Sequence, residues 1–112
     1  GFSRAIVAGH HVHVADTAPV PPEGEAVPGD VYEQTRRCLE IIVEALRQAG
    51  AGPEHVVRTR TFLVDAADWR EVGRAHGEVF GDVRPASTMV VVTGFLDPEW
   101  KVEIEAEAVL DG

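Results

Sequence analysis

The last quarter of the chain carries the clearest alternation of apolar and polar residues. From Val102 to Ala108, apolar residues alternate strictly with three glutamates, Glu103, Glu105 and Glu107. In a β-strand this spacing directs the apolar side chains to one face and the glutamates to the other. The first face can pack against a core. The second gathers three carboxylates, whose mutual repulsion requires water, cations or a functional pocket.

Two segments have the three- and four-residue apolar spacing of amphipathic helices. The first begins at Asp30, with Glu33 in capping-box position, and runs to Ala49, where glycines and Pro53 stop it. The second begins at Asp68, with Glu71 as its cap partner, and ends at Gly81. The residues predicted for its buried side are Trp69, Val72, His76, Val79 and Phe80.

Short β-prone runs surround these helices, and a proline-rich loop is predicted at 19–29. The predicted strands are Arg4–Ala8, His11–Ala15, Val56–Asp65, Ser87–Thr93 and Lys101–Leu110. The order β-β-α-β-α-β-β predicts an α+β fold, a two-layer sandwich in which a mixed sheet carries both helices on one face. Residues 1–112 are expected to form a single domain. The uncovered, partly apolar face predicts self-association with closed symmetry.

Charge restricts the partners of this chain. Its 112 residues include 19 acidic residues against 10 Lys and Arg, a formal net charge of −9. Such a surface repels phosphate backbones and anionic lipids, so neither nucleic acid nor a membrane is an expected partner. No apolar run is long enough to span a bilayer. The single cysteine, Cys38, fits a reducing compartment, and a cytoplasmic location is predicted.

Few residues suggest cofactor chemistry. His10, His11 and His13 lack a third ligand at a diagnostic spacing, so no metal site is expected, and Cys38 is interpreted as a buried, inert thiol. Glu103 and Glu107 are interpreted as solvated. Arg58 and Arg60, on one face of the third predicted strand, would neutralise the glutamates if the two strands were neighbours.

Several segments, in order along the whole chain, resemble the RidA/YjgF family, also called endoribonuclease L-PSP. They include GFSRA at 1–5, VVRT at 56–59, RPA at 84–86 and VEIEA at 102–106. The resemblance implies a chorismate-mutase-like fold assembled as a homotrimer, with small-molecule clefts between subunits. It also implies hydrolysis of reactive enamines and imines, such as 2-aminoacrylate, without a metal or organic cofactor.

The resemblance also implies a set of site residues. Glu105 matches the acidic cleft residue and is the predicted catalytic group. In a hydrolase, apart from the resemblance, Ser87 and Thr88 are expected to hold the substrate through hydrogen bonds. The positions that match the family's cleft but differ in residue type are Phe2 for a tyrosine, Ala15 and Asp16 for Ser-Gly, Gly73 for an asparagine, Ser87 for the arginine of active deaminases, and Met89 for a cysteine. An arginine would grip a substrate carboxylate through two charge-assisted hydrogen bonds, which a serine cannot do.

These differences predict a cleft that keeps its acid but lacks a cation, and therefore disfavours anionic 2-imino acids. The leading interpretation is a cofactor-free hydrolase of a small neutral or cationic substrate, with Glu105 activating water and its pKa raised by unpaired Glu103 and Glu107. The alternative is a non-catalytic protein that binds a small metabolite. A ribonuclease is the least favoured, since the chain lacks a basic track for phosphate.

Overall fold

The computed structural model describes residues 1–111. Five strands form one mixed sheet in the order β1-β2-β5-β3-β4, and two helices cover one of its faces. The elements are β1 (Ala5–Ala8), β2 (His11–Thr17), α1 (Val31–Gln48), β3 (Val56–Leu63), α2 (Trp69–Phe80), β4 (Ala86–Val91) and β5 (Val102–Val109). The predicted α+β sandwich and its order of elements are confirmed.

The sheet is antiparallel except at one edge. A tight turn at Gly9, which has a positive φ of 62°, joins β1 to β2, and α2 forms the crossover between the parallel strands β3 and β4. β5 lies between β2 and β3 and pairs with both. The strand of glutamates is therefore central, and it is a neighbour of β3, which carries Arg58 and Arg60, a pairing that the sequence left open.

The two helices begin differently although both have an acidic residue at the expected cap. The Asp30 carboxylate accepts hydrogen bonds from the backbone N–H groups of Tyr32 and Glu33, at 2.7 and 3.2 Å, as an N-cap should. Asp68 makes no such bond, so the predicted Asp68 cap is wrong. A short 3₁₀ turn, Ala66–Asp68, precedes α2 instead, and Asp65 caps it by accepting from the N–H of Ala67 at 3.0 Å.

The core lies between the helices and the covered face of the sheet. Its apolar members come from every long element, with α1 packed across β2 and β5 and α2 packed beside α1. The largest buried side chains are Phe80, Leu39, Ile42, Leu46, Leu63 and Ile104. Trp69 does not join them, because it is 54% exposed where α2 begins, which corrects the prediction for that residue.

The opposite face of the sheet, called here the open face, has no helix on it. Its glutamates alternate with buried neighbours along β5 as predicted, and Ile6 and Val90 add exposed apolar surface. The edge strand β4 is exposed along all six residues. Within residues 1–111, neither helix is long and apolar enough to cross a membrane.

Candidate functional site

The glutamates of the open face have partners on both neighbouring strands. Arg60 lies opposite Glu105 in the β3–β5 register, and its guanidinium forms an ion pair with the Glu105 carboxylate. Both side chains are only partly exposed. Glu107 lies opposite His13, with its Oε1 3.7 Å from His13 Nδ1. The predicted cation-free acid is therefore wrong for Glu105, which is neutralised within its own chain, and Glu107 has an imidazole beside it.

A fourth carboxyl group, that of Asp16, joins the three glutamates of this face where β2 is irregular. The β2–β5 register shifts between Val14 and Thr17, and Asp16 lies in the shifted segment. The backbone there is held by Arg4, whose guanidinium donates to the Asp16 carbonyl oxygen at 3.0 Å and to Thr17 Oγ1 at 3.1 Å. The extra residue turns Asp16 away from Thr17, which is buried on the covered face, and places it beside Glu103.

Asp16 lies beside the carboxyl group of Glu103, and the pKa of Asp16 is shifted. Partial burial raises the pKa of Asp16 to about 7, helped by a hydrogen bond and charge repulsion from Glu103, and Arg4 opposes the shift only weakly. Asp16 still reaches solvent at the edge of the face. Near neutral pH, Asp16 is therefore protonated for part of the time, so its carboxyl group can either donate or accept a proton. The sequence analysis interpreted Glu103 as merely solvated and did not identify this pair.

A different cluster lies on the covered side of β4, at the edge of the sheet. Ser87 lies opposite Thr59 in the β3–β4 register, with 3.2 Å between the two hydroxyl oxygens. Thr59 Oγ1 also lies 2.8 Å from His76 Nε2 on α2. Burial lowers the pKa of His76, so the imidazole is neutral at pH 7. We call Ser87, Thr59 and His76 the β4-edge cluster.

Gly73 and Met89 accompany this cluster. A β-carbon built at Gly73 would lie 3.9 Å from the Met89 methyl group, so α2 and β4 approach closely at these two positions. Thr61 lies opposite Met89 in the register and is fully buried, and its hydroxyl has no hydrogen-bond partner among the described residues.

The predicted site residues thus fall on two faces of one subunit. Asp16, Glu105 and Thr88, which lies opposite Arg60, belong to the open face, whereas Gly73, Ser87 and Met89 belong to the covered side. Ala15 lies in the irregular segment of β2, and Phe2, 87% exposed, precedes β1. Arg84, which precedes β4, has a φ of 57°, in the left-handed region. Thr59 and His76 were not predicted as site residues.

Two depressions bear on where a ligand would bind. One of about 350 Å³ on the open face is lined by residues that include Ala15, His13 and Glu105. A larger one of about 700 Å³ lies between β1 and α1, but it holds none of the predicted site residues. In the described part of the chain, no group of three His, Cys, Asp or Glu side chains is placed to hold a metal ion. Cys38 is buried, and burial raises its pKa well above the usual range, as expected for an inert thiol.

Comparison with known proteins identifies the class to which this fold and these residues belong. The family described as Endoribonuclease L-PSP matches residues 1–110. An uncharacterised protein of Streptomyces coelicolor is 44% identical over 108 residues, which cover 96% of this chain and 81% of that protein. A RutC family protein of Pyrococcus abyssi is 38% identical over 108 residues, covering 96% and 84%.

A solved structure agrees with these relatives. The crystal structure of Rv2704 from Mycobacterium tuberculosis, a member of the YjgF/YER057c/UK114 family, matches with a TM-score of 0.88 and 44% identity, covering 97% of this chain and 86% of that one. The chain therefore belongs to the RidA/YjgF family, as its sequence segments predicted.

Proposed function

We propose that the chain forms a homotrimer and acts as a cofactor-free hydrolase of a small imine, enamine or related metabolite, cleaving a C=N or C–N bond in clefts between subunits. The family resemblance supplies the reaction class. The observation that carries the proposal here is the pair of Asp16 and Glu103 on an exposed face.

The distribution of site residues supports a cleft shared by two subunits. Residues on opposite faces of a sheet cannot line one cavity within a single chain, but they can do so when the open face of one subunit meets the β4 edge of the next. Both surfaces carry features that favour such contact. Ile6 and Val90 are exposed on the open face, and the edge strand β4 has unpaired backbone groups along a fully exposed length.

The chemistry requires a proton donor and a water-activating base. In imine hydrolysis, the acid protonates the nitrogen, the base takes a proton from water, and the hydroxide adds to carbon. The carbinolamine then expels ammonia and leaves a carbonyl compound. Asp16, whose pKa is raised to about 7, can serve as the acid at neutral pH, and we assign the role of the base to the neighbouring Glu103 carboxyl group.

The catalytic role predicted for Glu105 is revised in this proposal. Its ion pair with Arg60 fixes the position of the Glu105 side chain, which suits a residue that orients substrate or water better than one that transfers protons. Asp16 and Glu103 take the acid–base role. The acidic surroundings favour a neutral or cationic substrate over an anionic one, in agreement with serine at position 87.

A protein that binds a small metabolite without converting it is the second candidate. The same Arg60–Glu105 ion pair favours it, because the acid expected to activate water is already engaged by a cation. A ligand that stays in the cleft chemically unchanged during long incubation would support this alternative.

Ammonia release tests the proposal. We expect the protein to accelerate ammonia release from an imine generated in situ by an amine oxidase, and to act weakly on 2-aminoacrylate. Glu103→Gln and Asp16→Asn should each lower turnover at least tenfold. Glu107→Gln is the matched control on the same strand and should retain turnover. Absence of acceleration, or equal activity in all three variants, would contradict the proposal.

A further inference from the structure

The β4-edge cluster is the strongest unassigned arrangement of polar groups in the described residues. We propose that Ser87, supported by Thr59 and His76, forms a neutral hydrogen-bonding subsite that binds an uncharged carbonyl or amide group of the substrate. The inference deepens the proposed function, since it rests on the same cleft and names the substrate class that the cleft accepts. In this subsite Ser87 contacts the ligand, and Thr59 and His76 are positioning residues that orient the Ser87 hydroxyl group.

The single hydroxyl hydrogen of Thr59 limits the cluster to two hydrogen-bonding arrangements. Thr59 Oγ1 has a single hydrogen and contacts both Ser87 Oγ, at 3.2 Å, and His76 Nε2, at 2.8 Å. It therefore donates to one of them and accepts from the other. If it donates to Ser87, the Ser87 hydroxyl hydrogen is left for a ligand. If it donates to His76, the Ser87 hydroxyl donates its hydrogen to Thr59 and can only accept a hydrogen bond from a ligand.

The cluster combines a fixed interior with an accessible end. Thr59 is fully buried, and His76 is half-buried, with its ring 4.8 Å from that of Phe80. Ser87, by contrast, is exposed on the edge strand. Packing therefore holds Thr59 and His76 in place, while Ser87 is accessible to a ligand or a neighbouring subunit at β4. The buried, unpartnered hydroxyl of Thr61, two residues from Thr59 on the same face, adds a further neutral polar atom beside the cluster.

The chemistry of the cluster selects for an uncharged group. All its members are neutral at pH 7, because a histidine with a lowered pKa does not carry a proton there. A carboxylate bound at Ser87 would lose its hydration in exchange for at most one neutral hydrogen bond. An amide has both a carbonyl acceptor and an N–H donor, so it can match Ser87 in either direction of the hydrogen-bonded chain.

Pyruvamide and pyruvate provide a matched pair of probes that differ mainly in charge. We expect nuclear magnetic resonance titration of the intact protein to show pyruvamide binding at least tenfold more tightly than pyruvate, with the His76 Nε2 resonance shifting as pyruvamide is added. Ser87→Ala should weaken pyruvamide binding about five- to tenfold, the loss expected for one hydrogen bond. Ser87→Arg should reverse the preference in favour of pyruvate.

Variants of His76 and a control at Thr93 distinguish a positioning role of His76 from a general effect on folding. His76→Gln keeps a hydrogen-bonding group and should retain most of the preference for pyruvamide, whereas His76→Leu should lose it. Thr93→Val removes a hydroxyl beyond the end of β4 and should change nothing. Equal or tighter binding of pyruvate, no detectable binding of either probe, or an unchanged affinity in Ser87→Ala would overturn the inference.

The same titrations distinguish this inference from the proposed hydrolase. If ammonia release is absent but wild-type protein selects pyruvamide through Ser87, the hydrolase proposal fails and the neutral subsite stands. If imines are hydrolysed but both probes bind equally, the neutral subsite fails and the hydrolase proposal stands.

Discussion

The ion pair between Arg60 and Glu105 shows that a residue on a neighbouring strand can determine the charge environment of a glutamate. Glu105 alternates with apolar residues in the sequence and was expected to be an acid without a cation. The β3–β5 register places Arg60 directly opposite, so the two charges compensate each other. Sequence alone fixed the face on which each side chain lies, but it could not fix the register, which depends on long-range packing.

Removing Arg60 should destabilise the fold. In Arg60→Met, the Glu105 carboxylate remains partly buried without its cation, so we expect unfolding free energy to fall by about 1–2 kcal/mol. The double variant Arg60→Met/Glu105→Gln should recover part of that loss. Urea denaturation measures both. The exposed pair of Arg47 and Glu44 is the control, and Arg47→Met should leave stability unchanged. Equal effects at the two sites would contradict the partial burial of Arg60 and Glu105.

The raised pKa of Asp16 predicts a pH dependence of stability. The pKa of Asp16 rises from 3.8 to about 7 on folding, so the folded state binds a proton that the unfolded state has already released. The resulting stabilisation is present below pH 4 and is lost as pH rises through 7. Asp16→Asn cannot ionise and should not lose it. Relative to wild type, the variant should therefore gain stability between pH 5 and pH 8, by about 1 kcal/mol after allowing for solvent screening.

Urea midpoints at several pH values measure this difference. Wild type and Asp16→Asn should approach each other at low pH, diverge as the pH rises from 3.8 to about 7, and keep a constant difference above that pH. Glu107→Gln serves as the control from the same face. If the difference between wild type and Asp16→Asn is constant from pH 5 to pH 8, Asp16 has an ordinary pKa and its pairing with Glu103 does not exist.

At the level of elements, two similar sequence patterns produced different helix starts. Asp30 and Asp68 each precede an amphipathic segment and have a glutamate three residues later. Asp30 caps α1 directly, because extended backbone leads into it. Asp68 is itself in a helical conformation, at the end of the 3₁₀ turn that Asp65 caps, so its side chain cannot reach back to the free N–H groups. The periodic pattern predicts a helix reliably but leaves open where its first turn begins.

The caps give a matched pair of substitutions. Asp30→Ala should lower unfolding free energy by about 1 kcal/mol, because two backbone N–H groups lose their acceptor. Asp68→Ala should change it by less than about 0.5 kcal/mol, as expected for a surface residue without a capping bond. Thermal denaturation of both variants distinguishes them. Equal losses would mean that α2 depends on Asp68 after all.

The sequence predicted the elements more fully than the site. Alternation and helical spacing specify strands, helices and the covered face locally, so the α+β sandwich followed from them. The site depends on which strands are neighbours and on one irregular segment in β2. The pairing of Asp16 with Glu103 requires that shift in register, and the contact of His76 with Thr59 requires the angle at which α2 crosses the sheet. Neither is encoded in a local pattern.

At the scale of the whole molecule, the open face and the β4 edge carry complementary parts of the proposed cleft. One subunit would supply Asp16 and Glu103, and its neighbour would supply Ser87 with Thr59 and His76. The net charge of −9 favours uncharged or cationic guests in such a cleft over anions. The proposed cleft therefore requires both surfaces, because neither suffices alone.

Subunit complementation tests this requirement most directly. Asp16→Asn and Ser87→Arg are each expected to be inactive on a neutral imine, in different halves of the cleft. If the two variants are unfolded together and refolded as mixed trimers, one cleft in each mixed trimer should regain both wild-type halves, and random assembly should restore about a quarter of wild-type ammonia release. Variants refolded separately and then combined are the control. No recovery in the mixed trimers would contradict a cleft shared between subunits.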